Sequence, residues 1–145
     1  MTAKQRIENL TNAWYGYAVF ATLATIVGNI WYGLFSWGFW FGFGMLAVAF
    51  SIGISVVGLA ISIAITAFLG RKLLARSSFT RALLVVLSAV FAVLCAISTF
   101  SEAWQFLHYW SIAGIIRIAL PAAAALLQVR SFSVLNDPEV RAYCR

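Results

Sequence analysis

Four long apolar runs constrain this chain more than any other feature, because each is long enough to cross a bilayer. Crossing the hydrocarbon core takes about 20 helical residues. The runs predict spans at about 13–35, 45–69, 82–104 and 109–129. Lipid offers no hydrogen bonds to exposed backbone, so such segments cross it as helices. The sequence therefore predicts an all-α integral membrane protein, a single membrane domain over residues 1–145.

The positions of the basic residues predict the orientation of these spans. Nine of the ten Lys and Arg residues precede the first run, separate the second from the third, or follow the fourth: Lys4, Arg6, Arg71, Lys72, Arg76, Arg81, Arg130, Arg141 and Arg145. Basic residues next to spans stay on the cytoplasmic side. We therefore expect four transmembrane helices in an up-down bundle with both termini cytoplasmic, in a bacterial-type inner or plasma membrane.

Composition and charge narrow the classes of partner. Hydrophobic residues make up 63% of the chain and charged residues 10%, against roughly 25% charged residues in a soluble domain. The net charge of +6 comes from residues that flank the spans, and no basic-aromatic RNA motif accompanies them. The predicted partners are therefore anionic lipid headgroups on the cytoplasmic side, with other membrane subunits or further copies of the chain, and not nucleic acid.

Short polar segments flank the spans. Residues 1–12 are predicted to be a cytoplasmic amphipathic lead-in, because Thr2 and Gln5 fit a capping box and Ile7 and Leu10 recur on one helical face.

The other two polar segments contain helix-end signals. Gly70 is expected to close the second span in a left-handed conformation. Residues 130–145 are predicted to be a cytoplasmic tail with a short helix, since Asp137 and Pro138 fit an N-cap and a first helical position.

One charge lies inside a span. Arg117 is in the outer half of the fourth run, where a charge costs a few kcal/mol unless it is paired or reaches water. Glu102 is placed to pair with it, and Asn29, Ser51 and Thr99 fall at a similar depth. In one interpretation, Arg117 snorkels or forms an ion pair with Glu102 that fixes helix packing. In the other, it lines a water-filled cavity with Asn29 and Glu102, binds an anionic headgroup or quinone-like ligand, or contacts a partner subunit.

Aromatic residues are concentrated on the predicted outer side. Five of the six tryptophans belong there: Trp31, Trp37, Trp40, Trp104 and Trp110. An interfacial belt is one interpretation; a stacking surface for a pigment, quinone or lipid, or a docking face, is the other. His108 is the only histidine, so it cannot form a two-His haem site and is expected to be an interfacial hydrogen-bonder. Bound lipid is the expected ligand, with no identifiable cofactor and no metal site.

Small residues in the second span indicate close helix packing. Ser51, Gly53 and Ser55 recur at spacings that let helix backbones approach. Packing within one bundle and a homo-oligomer interface are the two alternatives.

Function is predicted mainly by elimination. The sequence has no Cys pair at redox spacing, no His and carboxylate cluster, no phosphate-binding glycine loop and no carboxylate deep in a span. It is not expected to be an enzyme, and the favoured prediction is a structural or accessory subunit that stabilises a larger multi-subunit membrane complex through helix packing and aromatic and lipid contacts. The alternative is a small oligomeric channel or transport component that uses the intramembrane Arg117. A membrane enzyme acting on a lipid or isoprenoid is the third.

Overall fold

The regular elements of the described chain are all α-helices. The computed structural model describes residues 2–35, 43–108 and 112–144. The helices are α1 (Ala3–Phe35), α2 (Phe43–Leu74), α3 (Ser78–His108), α4 (Ile112–Asn136) and α5 (Pro138–Tyr143). Helices α1 to α4 are long and apolar enough to cross a membrane. The predicted class is confirmed: the chain is an all-helical integral membrane protein with four candidate transmembrane helices.

Most of the long helices are much longer than a bilayer requires. At 1.5 Å per residue, the 33 residues of α1 and the 32 residues of α2 extend about 50 Å, against about 30 Å of hydrocarbon. Part of each helix must therefore lie in the headgroup region or beyond. Each predicted span falls within one of these helices, except that position 109, where the fourth span was predicted to begin, lies outside the described residues.

The predicted lead-in is the start of α1 rather than a separate helix. Its capping box is confirmed, because Thr2 N donates to Gln5 Oε1 at 3.0 Å and Gln5 N donates to Thr2 Oγ1 at 3.4 Å. Ile7 and Leu10 do share a face, as predicted, but this face is fully buried against other parts of the protein. It is therefore a packing face and not a surface that lies on lipid.

The described chain divides into two compact units. One comprises Met1–Tyr17 and Thr66–Arg145, and the other comprises Ala18–Ile65. Within the first unit, α3 packs against α4, and α4 also contacts α5. The second unit contains the remaining parts of α1 and α2.

The buried core of the first unit receives side chains from all five helices. It lies where α1 begins, α2 ends and α5 folds back, and it consists of Ile7, Leu10, Leu73, Leu84, Leu135, Val140 and Cys144. By contrast, many large apolar side chains elsewhere on α1 to α4 are exposed, as a lipid-facing surface requires.

Hydrogen bonds donated by two aromatic side chains of α1 join it to α4. Trp14 Nε1 donates to Ser131 Oγ at 2.9 Å, and the Ser131 hydroxyl donates in turn to Leu127 O at 2.8 Å. Tyr17 donates its hydroxyl hydrogen to Leu120 O at 3.3 Å. Ser131 is fully buried, so the indole contact also satisfies a polar group that water cannot reach.

The predicted role of Gly70 is wrong. Helix α2 continues past it to Leu74, and the left-handed residue that follows the helix is Arg76, with φ 61°. Gly70 is instead buried against α1, where an added Cβ would lie 2.9 Å from Thr11 Cγ2. Gly70 therefore allows α1 and α2 to approach closely. It does so because it has no side chain, and not because it adopts a left-handed backbone conformation.

We expect Gly70→Ala to destabilise the protein. Thr11 cannot turn away freely, because it is β-branched and its hydroxyl donates to Ile7 O at 2.9 Å. Overpacking of this kind costs about 1–3 kcal/mol. The measurement is the thermal unfolding midpoint in detergent. Gly58→Ala is the matched control, since a Cβ there meets no atom within 4 Å, and Thr11→Ala should restore the Gly70→Ala protein. An unchanged midpoint for Gly70→Ala would contradict the close approach.

Candidate functional site

The best-defined polar site surrounds the short C-terminal helix α5. Asp137 caps it, with Oδ1 accepting a hydrogen bond from Glu139 N at 3.0 Å, and Pro138 occupies the first turn. The predicted tail helix and its cap are confirmed. Six residues are too few for a helix that is stable alone, so contacts with the other helices must hold α5 in place.

Arg6 supplies one of these contacts from the start of α1. Its guanidinium forms an ion pair with Asp137, and a second with Glu139 at 3.4 Å between Nη2 and Oε2. The Asp137 carboxylate thus caps α5 with one oxygen and binds Arg6 with the other. The Arg6 and Asp137 side chains are 31% and 25% exposed, so solvent screens the pair in part and we expect it to contribute about 1 kcal/mol or less.

The opposite side of α5 closes the end of α2. Tyr143 donates its hydroxyl hydrogen to Leu74 O at 3.1 Å, and the Cys144 thiol donates to Leu73 O at 3.8 Å. These carbonyl groups belong to the last turn of α2, where intrahelical donors are lacking. The Arg76 guanidinium also lies over the Tyr143 ring. We call Arg6, Leu73, Leu74, Arg76 and residues 137–144 the tail junction.

Cys144 is the residue of the tail junction whose pKa is shifted by burial. Burial raises the pKa of its thiol, and the positive charge of Arg81 opposes this shift with a smaller effect. Cys144 is 1% exposed, so the thiol is protonated and shielded from reagents. The Arg81 guanidinium donates from Nη1 to Leu135 O at 3.2 Å, which ties α3 to α4 beside the same core.

The contacts of the tail junction join helices to one another. Its carboxylates are paired with Arg6, and no group of three His, Cys, Asp or Glu side chains that could hold a metal ion occurs in residues 2–35, 43–108 and 112–144. Sequence reasoning found the α5 cap from a local pattern but missed the pairing of Arg6 with Asp137, which only the folded chain brings together.

In the described part of the chain, the polar site predicted around Arg117 is not held together by an ion pair, unlike the tail junction. Arg117 is exposed in the second turn of α4, and Glu102 is half-buried on α3. Among the described residues these two form no ion pair; the ion pairs found there involve Lys4 and Arg6, at the start of α1. Thr99 donates its hydroxyl hydrogen to Cys95 O at 2.7 Å, within its own helix.

The remaining residues of the predicted polar site belong to the second unit. Asn29 is half-buried on α1. Ser51 donates to Val48 O at 3.3 Å and Ser55 donates to Ser51 O at 2.8 Å, so both hydroxyls bond to their own helix. Arg117 belongs to the first unit, so the grouping of Asn29 and Ser51 with it stays a prediction.

The aromatic surface is described in part. Trp31 and Trp104 are exposed, whereas Trp37, Trp40 and Trp110 lie outside the described residues. His108 Nδ1 forms a hydrogen bond with Trp104 O at 3.0 Å, and the two rings are 5.4 Å apart at their centroids. His108 therefore forms a hydrogen bond within its own helix.

The small residues of α2 border open space. A Cβ added at Gly53 or at Gly58 would meet no atom within 4 Å. A shallow apolar groove of about 470 Å³ lies at Gly53, and its lining residues are Ala49, Phe50, Gly53, Ile54 and Val57. Gly53 therefore opens a surface on α2, and the structure shows no close helix contact at this residue.

Comparisons of the chain with protein families, with curated proteins and with solved structures found no match. The function must therefore be inferred from the residues and contacts of this chain.

Opening of the tail junction can be followed through the reactivity of Cys144. In a Cys95→Ala background, we expect Cys144 to react with maleimide on the order of tenfold more slowly than an exposed thiol on the same helix, because it is buried and protonated. Ala142→Cys combined with Cys144→Ala supplies that exposed thiol. Arg6→Gln and Asp137→Asn should each raise the Cys144 rate by up to about fivefold, the factor equivalent to a weakly screened ion pair.

Asp137→Asn isolates the charge from the cap, since asparagine caps helices as well as aspartate does. Equal rates for Cys144 and for the exposed thiol would show that α5 is not held in the tail junction.

Proposed function

We propose that this protein is a non-catalytic accessory subunit of a larger membrane complex. The observation that carries the proposal is Arg117. Its side chain is exposed on a candidate transmembrane helix and forms no ion pair within the described chain. An acidic or strongly polar group from outside the chain would supply the missing partner.

The energetic cost of Arg117 supports this proposal. An arginine within a span costs about 2.5–3.5 kcal/mol on insertion scales. Ile115 and Ile116, its neighbours on α4, are also exposed, so this stretch of the helix offers an apolar surface with one charge. A partner helix with a carboxylate at the same depth would both bury the two isoleucines and form an ion pair with the guanidinium.

The groove at Gly53 of α2, in the second unit, also supports the proposal. Membrane helices associate by close packing of small residues, since lipid provides no hydrophobic driving force between them. Gly53 and its groove are available for such packing, with Phe50 exposed beside them. This surface suits a neighbouring helix of another subunit.

The proposed topology is an up-down bundle with both termini on the cytoplasmic side. In the first unit, the start of α1, the end of α2 next to its link to α3, and the segment around α5 all contribute to one buried cluster. Arg71, Lys72, Arg76 and Arg141 belong to these same segments. Their positions support a cytoplasmic location for this end, because basic residues next to spans are retained there.

Accessibility labelling tests the topology. Ser78 is exposed at the start of α3, so Ser78→Cys in a Cys95→Ala, Cys144→Ala background should react with a membrane-impermeant maleimide in inverted vesicles and not in intact cells. Ala142→Cys in the same background should show the same sidedness. Labelling of either variant in intact cells would contradict the proposed orientation.

Substitutions of Arg117 test the accessory-subunit function. Arg117→Leu should leave the thermal midpoint in detergent unchanged or higher, because a costly charge is removed, but should abolish migration of the tagged chain as part of a larger species on native gels. Arg117→Lys should restore little of this migration, since an ammonium group cannot replace a planar five-donor guanidinium.

Glu102→Gln is the matched control, because Glu102 forms no ion pair with Arg117 in the structure, and it should preserve both stability and migration. Unchanged stability together with unchanged migration for Arg117→Leu would remove the support for the proposal. Selective ion flux through the purified protein reconstituted alone would favour the alternative, a small oligomeric channel with Arg117 as its charged element.

A further inference from the structure

The acidic residues of the tail-junction end are already neutralised within the chain. The protein has four acidic residues. Glu8 pairs with Lys4 at 3.8 Å, and Asp137 and Glu139 pair with Arg6. The fourth, Glu102, lies near the opposite end of α3. Among the described residues, the other basic residues of this end therefore have no acidic side chain to neutralise them.

Five exposed basic residues remain at this end without an ion pair among the described residues: Arg71, Lys72, Arg76, Arg130 and Arg141. They come from the last turn of α2, the link to α3, the C-terminal part of α4, and α5. All belong to the first compact unit, which also contains the buried cluster. We call them the basic surface. The grouping depends on the fold, since the tail helix that contains Arg141 also contacts Leu74 and Arg76 through Tyr143.

Arg76 is held in place at a backbone position that favours glycine. Its φ is 61°, and the bonds from Arg76 N to Leu73 O and from Ser77 N to Lys72 O form the glycine-type closure of a helix end. Its guanidinium lies 5.0 Å over the Tyr143 ring, and Tyr143 is itself fixed by its bond to Leu74 O. The stacked face leaves the N–H edge of the guanidinium available to phosphate oxygens, which it matches in geometry.

Exposed phenylalanines accompany the basic surface. Phe79 is 76% exposed directly after the α2–α3 link, and Phe132 is exposed two residues after Arg130. Lys72 lies 5.7 Å over the ring of Phe68, which is also exposed. Aromatic rings beside cations suit the boundary between acyl chains and headgroups, because the ring can lie among acyl chains while the charge lies among headgroups. A soluble acidic partner would satisfy the charges but leave the phenylalanines in water.

We propose that the basic surface binds anionic phospholipid headgroups of the adjacent leaflet, with Arg76 as a preorganised phosphate ligand. The length of α2 supports this position, because 32 residues exceed by several turns what the hydrocarbon core requires. The last turn of α2, with Arg71 and Lys72, then lies at headgroup depth. Charge complementarity selects anionic over zwitterionic lipid.

The test uses the full-length protein reconstituted in phosphatidylcholine vesicles with trace spin-labelled lipids. Electron spin resonance reports the fraction of each labelled lipid immobilised at the protein. We expect labelled phosphatidylglycerol to associate several-fold more strongly than labelled phosphatidylcholine, with a preference that falls as salt increases. The combined variant Arg71→Gln, Lys72→Gln, Arg76→Gln should lower this preference towards one.

Arg76→Gly separates lipid binding from folding. Glycine suits the left-handed position, so the variant should keep or increase the thermal midpoint while reducing the preference for phosphatidylglycerol. Lys4→Gln, which removes a cation already paired with Glu8, is the matched control and should retain the preference. An equal association of both lipids with the native protein, or an unchanged preference in the combined variant, would overturn the proposal.

A further arm distinguishes a lipid surface from a site for free phosphate. Inorganic phosphate and sodium chloride are compared at the same ionic strength. Equal reduction of the preference by both salts supports binding of a lipid surface, whereas selective competition by phosphate would overturn that assignment in favour of a discrete phosphate site.

Discussion

Water reaches only the ends of these helices, and this constraint explains where the protein has its buried core. Between membrane helices lipid is as apolar as leucine, so burial of apolar side chains gains little there. Phe50, in the N-terminal part of α2, is accordingly 72% exposed. The buried core of the first unit instead gathers the start of α1, the end of α2 and the segment around α5, as expected where helices extend past the hydrocarbon and burial again excludes water. Five helices meet there around Leu73 and Leu135, and the short α5 is stable only because it covers this cluster.

The sequence predicted the features that depend on local pattern or on length. The four long helices follow from apolar runs, and the caps at Thr2 and Asp137 follow from residues within one helical turn. Gly70 shows the limit of such reasoning. A glycine near a helix end serves either a left-handed turn or a close approach, and the choice depends on Thr11, far away in the sequence. The helix-ending role passes instead to Arg76, a residue type that gives no local signal for it.

Site prediction meets the same limit in another form. Counting residues along a span gives the depth of a side chain but not the direction in which it points around the helix. Depth alone grouped Arg117 with Glu102 and Thr99. In the structure the Thr99 hydroxyl bonds to its own helix, and Glu102 forms no ion pair with Arg117. The pairing of Arg6 with Asp137 was missed for a related reason, since it depends on the path that α5 takes after α4.

The arginines near the two ends of α4, Arg117 and Arg130, differ in how strongly their surroundings screen a charge. Arg130 belongs to a set of exposed charges at the end that extends beyond the hydrocarbon, where water and ions screen each one and each contributes a small share of the attraction to a charged surface. Arg117 lies about 20 Å away along the helix at 1.5 Å per residue, within an apolar stretch where a single unpaired guanidinium is costly and mobile ions are scarce. Charges of the first kind add up gradually and respond to salt. A charge of the second kind is neutralised by one specific group, so in the two proposals the same residue type acts as a graded membrane contact at one end and as a selective contact at the other.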